Sequence, residues 1–374
     1  MSRRGTARGV GVAGRARRLV CHVAVSSALA VAVSTAHADT PPSFWDIARD
    51  PSARARWALH VRVMRLLHAP AGEDPMEPEQ RPERMLSMAR ALLEDADAAH
   101  SPDVRLRFDL GAVYERLATL SRRDDLERKA VEVLAPALQL APDHPASVEA
   151  YQVLAEAYAQ LDRPQDELAT WRGYIARVTS DRARVTALMN MGEAQMRLGL
   201  LDDALVTFRD GLQLCETLAT SGVNKSYALT LWDLALALDR SGDPAAAVAT
   251  AAKARTWTWT GAGRRETGWD AIRDDDDVFF VPGWEREWYL ALGFASAAWT
   301  ATDPRDAARM WARAEKHWDS YVAHASAAPP EHDRWLPIAR ARLAHAHEAR
   351  MEAERRSSRL PPRAPTGGEN WPED

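Results

Sequence analysis

Four groups of residues in this chain have the side chains for chemistry, and their spacing decides what each can do. Asp274–Asp277 sets four carboxylates in a row, enough to hold a hard cation. The glycine and alternating spacing of a calcium loop are missing, and runs of like charge stay in water. His345 and His347, followed by Glu348, look like metal ligands. A spacing of two puts the histidines on different helix faces, and no further ligand follows at a helical interval. Gly261-x-Gly263 follows no buried strand and opens no helix, so it makes no phosphate loop. No Ser or Cys is arranged with His and Asp as a nucleophile set. The expectation is therefore no catalytic residue, no metal and no cofactor.

The fourth group is different in kind. Trp257, Trp259 and Trp269 lie beside Arg264 and Arg265 in the segment Thr256–Gly283, whose Gly, Thr and Asp break helical periodicity. Thr-Trp-Thr-Trp favours extended backbone. These rings either pin the segment onto the rest of the fold or present aromatic faces and guanidiniums to a partner. Trp171, Trp232, Trp288, Trp299 and Trp311 fall inside helical patterns, where core filling is expected.

Such groups need a scaffold, and one stretch shows its unit. In Val185–Leu198, the residues Val185, Leu188, Met189, Gly192 and Met196 recur at three- and four-residue spacing. In Leu201–Leu218, the residues Leu201, Ala204, Leu205, Phe208, Gly211, Leu212 and Cys215 do the same. Two amphipathic helices hinged at Gly199 result, with Gly192 allowing close approach and Phe208 filling the gap. Cys215 lies on the apolar stripe and reads as a small buried hydrophobe.

Four further pairs share the pattern. They carry Leu110-Gly111 with Ala130 and Leu134; Leu154-Ala155 with Trp171; Leu234-Ala235 with Ala247, Ala251 and Ala254; and Phe294-Ala295 with Ala307, Trp311 and Ala314. Glu167 stands where a small residue is expected, and Ala251 where a large aromatic is expected. Hinges at Asp162-Arg163-Pro164, Gly242-Asp243-Pro244 and Asp303-Pro304 use Asp to cap the second helix and Pro to start it. An opening pair, Ser52–His68 and Pro82–Asp97, has apolar stripes Trp57, Val61, Met64, Leu67 and Met85, Met88, Ala89, Leu92.

The Met191-Gly192 and Ala204-x-x-x-Phe208 pattern resembles the tetratricopeptide repeat. The resemblance covers roughly 103–321 and implies an all-α, right-handed superhelix (α-solenoid) of antiparallel helix pairs with one irregular Trp-rich insertion. It implies a non-enzymatic scaffold binding proteins or peptides along a surface built from the first helices of successive pairs. Equivalent positions recur at 44, 37, 43 and 60 residues, against about 34 in the family, so the arms vary in length.

The organisation expected is a signal peptide over 1–38, a lead-in and opening pair over 39–102, and repeat pairs over 103–255. The insertion follows over 256–283, then a further pair over 284–328, a capping helix over 329–356 and a disordered tail over 357–374. Six arginines with no acidic residue, an apolar run Leu19–Val33 and then Ala36-His37-Ala38 have the order of a secretory signal. An exported bacterial protein of the periplasm or cell envelope is the expectation. Loss of those six arginines takes the net charge from −5 to −11, which disfavours nucleic acid as a partner. It leaves Cys215 as the sole cysteine, with no internal disulfide. A glycan- or peptidoglycan-associated protein using the Trp-rich insertion is the alternative reading.

Overall fold

The computed structural model describes residues 49–67, 81–218, 224–261, 264–273, 278, 280–329 and 334–361. The expected signal peptide, the Asp274–Asp277 run and most of the tail lie outside them. Helices dominate. The opening pair is α1 (Pro51–Leu67) and α2 (Arg81–Asp95). Then come α3 (Val104–Ser121), α4 (Asp124–Leu140), α5 (Ser147–Gln160), α6 (Pro164–Ile175), α7 (Asp181–Leu198) and α8 (Leu201–Thr217). After α9 (Asn224–Arg240) and α10 (Pro244–Thr256), a hairpin of β1 (Thr258–Gly261) and β2 (Arg264–Thr267) interrupts the series. A short α11 (Gly268–Arg273) follows, then α12 (Arg286–Thr300), α13 (Pro304–Ala327) and α14 (Leu336–Ser357).

Each helix packs on its neighbour in sequence, and first helices of successive pairs also touch, as α3 with α5 and α7 with α9. This is an α-solenoid of helix pairs, in which each unit is buried mainly by the units beside it. The pattern read at Gly192 holds in detail: a Cβ there would collide with the Phe208 ring, and Phe208 is fully buried. Gly111 makes the same bed for Leu134. Ala247, Ala251 and Ala254 are all wholly buried, so the alanine face of α10 is a true packing face.

The hinges split into two mechanisms. Asp243 accepts from the Ala246 amide at 3.0 Å and Asp303 from the Arg305 amide at 2.8 Å, capping α10 and α13 ahead of Pro244 and Pro304. Asp162 does not cap α6. It takes a left-handed conformation (φ 53°), and Arg163 occupies the cap position. Gly199 closes α7 at φ 77°, where a side chain would be strained.

The stripes of the opening pair are rotated from expectation. Val63 is the buried residue of α1, and Leu86, Ala89 and Leu93 are those of α2, while Trp57 and Met88 stand exposed. The Trp57 ring lies on the outside because Arg105 covers it, 4.8 Å from its centroid.

The core is uneven along the array. Three small clusters serve α1–α7, whereas one continuous cluster runs from α7 to α14. Its extra bulk comes from tryptophans of the insertion and of α12 and α13.

Candidate functional site

Of the insertion's tryptophans Trp257, Trp259 and Trp269, one ring enters the core. Trp269, on α11, is 8% exposed and lies against Trp232 of α9, with ring centroids 6.3 Å apart, and Phe294 of α12, at 4.9 Å. Gly293 has no side chain because the Trp269 ring occupies that space. The role that Phe208 plays for Gly192 from its own second helix is played here by the insertion. The sequence assigns Trp311 to the equivalent slot, yet Trp311 is only half-buried and meets His345 edge-on at 5.7 Å. The segment is tied down at its neck as well. The Gly268 amide donates to the Trp257 carbonyl at 2.9 Å, and Trp232 Nε1 donates to the Gly268 carbonyl at 2.8 Å.

The other predicted site residues are spread out. Trp257 and Trp259 are half-buried, with Trp257 against the Tyr227 ring at 4.5 Å. The hairpin register pairs Trp259 with Glu266 and Thr260 with Arg265. Side chains alternate between faces, so Trp259 and Arg265 lie on opposite faces of the ribbon. Arg265 is exposed; Arg264 pairs with Gly261 at the ribbon's far end. The four whose side chains are described therefore do not converge: Trp269 belongs to the core, Trp257 and Trp259 to its edge, and Arg265 to solvent.

Polar groups converge instead on the first helices, where the sequence reading missed them. Asp233 on α9 is buried, and Tyr289 on α12 donates its hydroxyl to Asp233 Oδ1 at 2.8 Å. Asp233 Oδ2 has no hydrogen-bond partner. Burial, then the Glu193 carboxylate on α7, push the Asp233 carboxyl well above the usual range. Burial likewise raises the Tyr289 hydroxyl, with Asp233 adding to it. The signal was present: Asp233 and Asp239 are carboxylates inside the otherwise apolar run 227–238 and its end.

Six residues on, Asp239 and Arg240 form a second buried network. Asp239 accepts from Trp288 Nε1 at 2.9 Å and from Arg342 Nε, on α14, at 2.7 Å. Burial raises the Asp239 pKa despite those donors. Arg240 lies between the rings of Trp288 and Trp335, 4.5 and 5.0 Å from their centroids, and pairs with Glu285. Burial opposes its charge, but Glu285 carries the guanidinium above its ordinary value. Glu285 also accepts from Tyr321 at 3.1 Å. Every charge is answered by another, the condition for keeping ions in a core.

Glu167 shows the same logic two units earlier. It is fully buried, pairs with Arg197 of α7, and accepts from Trp171 Nε1 at 3.3 Å. An arginine from the next pair thus fills the space that a small residue would have left. Cys215 is buried and unpaired, and burial lifts its thiol to about 11, which leaves it inert at neutral pH. His347 is exposed and sits 2.8 Å from Glu315, while His345 packs beside Trp311. Among the described residues no group of three His, Cys, Asp or Glu is placed to hold a metal ion, and no helix is long and apolar enough to cross a membrane.

No family model matches the chain, and no curated protein does. Among solved structures, the chain is similar to a Podosopora anserina protein described as a kinesin light chain with nearly identical TPR-like repeats. The identity is 17% and the TM-score 0.38, with 54% of this chain and 93% of that chain covered. An overlap that loose carries no argument about function.

Proposed function

We propose that this chain is a non-enzymatic scaffold that binds a protein or peptide along its first helices, and that it works outside the cytoplasm after removal of residues 1–38. The observation that carries the reading is a row of carboxylates down those helices, Glu149 and Glu156 on α5 and Glu193 on α7, with the buried Asp233 of α9 behind its end. They fall on successive units of the array, the spacing an extended ligand reads. The charge of Glu193 raises the pKa of both Asp233 on α9 and Tyr289 on α12, so the end of the row bears on the neighbouring first helices. The segment that complements it carries basic side chains or hydrogen-bond donors. The insertion closes one end of the row by filling the seam between α9 and α12, and it leaves the exposed Thr260 and Arg265 face of the hairpin for contact at the rim.

The test is site-specific photo-crosslinking in cell-envelope extract. A crosslinker at Gln152 or Thr186, beside the row, should give discrete adducts that weaken as salt rises. A crosslinker at Arg209, on the second helix α8, should not. Equal adducts from both places, or an unchanged adduct pattern in Glu193→Lys, would remove the first helices as the binding surface. Full-length chain recovered from cytosol with residues 1–38 attached would remove the export assignment.

A further inference from the structure

The seam between α10 and α12 holds a guanidinium that the fold does not neutralise. Arg255 lies in the last turn of α10, half-buried, with Nε 3.3 Å from Ser296 Oγ and Nη2 3.5 Å from Thr300 Oγ1. Both hydroxyls already donate within their own helix, Ser296 to the Gly293 carbonyl at 2.7 Å and Thr300 to the Ser296 carbonyl at 3.0 Å. Each can therefore offer Arg255 a lone pair and no charge. The carbonyl end of α10 supplies at most a fraction of a charge.

The contrast within the molecule is direct. Arg240, Arg197 and Arg342 are drawn into the fold by Glu285, Glu167 and Asp239. Burial lowers the pKa of Arg255, and no carboxylate among the described residues opposes it, whereas Arg240, buried deeper but paired, is raised. A desolvated cation without a counter-ion costs stability that a scaffold with so many carboxylates could easily have recovered.

The same stretch of α12 carries a ring that core packing does not account for. Trp299 is expected inside its helix pair and is 70% exposed. It follows Ser296 by three residues and precedes Thr300 by one, so its indole stands on the helix face adjoining the two hydroxyls. The helix segment whose hydroxyls hold Arg255 thus also carries an indole left in water, the composition of a recognition anchor.

We propose that Arg255 and Trp299 form a docking site for an acidic peptide segment of a partner protein. The Nη1 and Nη2 edge of Arg255 takes a Glu or Asp carboxylate in a two-pronged hydrogen bond, with Ser296 and Thr300 holding the guanidinium in plane. Trp299 takes an apolar or aromatic side chain next to that carboxylate. A polyanion such as nucleic acid is disfavoured by the overall charge of −5. The site is separate from the carboxylate row and prefers the opposite charge, so neither assignment depends on the other.

The probe is a fluorescein-labelled peptide, Gly-Glu-Phe-Glu-Gly, titrated with the full chain and followed by anisotropy, with Gly-Gln-Phe-Gln-Gly as its neutral counterpart. Binding of the Glu peptide should saturate, and the Gln peptide should bind on the order of ten-fold more weakly or worse, the scale of a charge-assisted hydrogen bond. Arg255→Gln should lose a similar factor while keeping a native melting transition, and Arg255→Lys should lose less. Trp299→Ala, at an exposed position, tests the ring without touching the core and should also weaken binding several-fold. Equal affinity for the two peptides, or parent-like affinity in Arg255→Gln or Trp299→Ala, would overturn the site. A triple change Glu369→Gln, Glu373→Gln, Asp374→Asn decides the source. If it raises probe affinity ten-fold, the chain's own acidic residues are the occupant and the partner assignment falls; unchanged affinity supports a partner.

Discussion

Single residues were legible where one side chain answers one backbone position. Gly192 and Phe208 could be matched from spacing alone, because a small residue on one helix and a ring on the next solve the same close approach. Trp57 and Trp299 could not, since periodicity assigns a face and says nothing of what covers it. Asp233 is the sharpest case of a residue whose meaning lies in its surroundings. Burial, then Glu193, raise its native carboxyl well above the usual range, so between the ordinary carboxylate range near pH 4 and the raised native value the folded chain binds more protons than the unfolded one. Stability therefore falls as pH rises through that window, by up to ~1.4 kcal/mol per pH unit for one group. Asp233→Asn has no proton to lose. Urea unfolding at pH 4.5 and at pH 8 should show the variant gaining on the parent as pH rises, with Tyr289 still able to donate to the amide oxygen. Parallel pH profiles for the two proteins would mean that Asp233 ionises in the fold without cost.

At the scale of elements, the helix pairs and their order were readable because each depends on local periodicity and a hinge. The insertion was only half readable. Thr-Trp-Thr-Trp announces extended backbone, but the strand that pairs with it, Arg264–Thr267, has no alternation of its own, and the helix Gly268–Arg273 is held by contacts to α9 and α12 far away in sequence. The structure separates the three tryptophans by what they support. Trp269 completes the core of the α12 unit at Gly293, and Trp257 and Trp259 sit at its margin. Trp269→Ala should cost about 3–5 kcal/mol, a buried ring's worth of packing plus the void it leaves. Trp257→Ala with Trp259→Ala together should cost less than that one change, because both rings keep part of their surface in water. Thermal and urea unfolding of the two variants check the order, and the reverse order would put the insertion's anchor in the hairpin instead of α11.

Across the whole molecule the array departs from a chain of equal units. Periodicity predicted repeats; it could not show that the C-terminal half would fuse into one core, because that fusion depends on contacts between residues far apart in sequence. Arg342 of α14 reaches Asp239 of α9, and Arg334 lies over Gly199 at the end of α7, with a bond to the Arg197 carbonyl at 3.4 Å. Trp335 closes over Arg240 beside them. The last helix and the residues leading into it are thus clasped to two earlier units, while α3–α6 rest on smaller clusters of their own. In a solenoid, stability is a sum of units and neighbour interfaces, so a clasp that skips units should make them open together. Arg342→Met keeps the apolar stem but leaves Asp239 buried with one partner fewer, a loss on the order of 3 kcal/mol. Native-state hydrogen exchange of this variant should show α9, α12, α13 and α14 losing protection by the same amount, with α3–α6 unchanged. Fraying of α14 alone would show that the clasp holds only that helix. Equal loss from α3 through α14 would show a single cooperative unit, in which the division of the core has no energetic consequence.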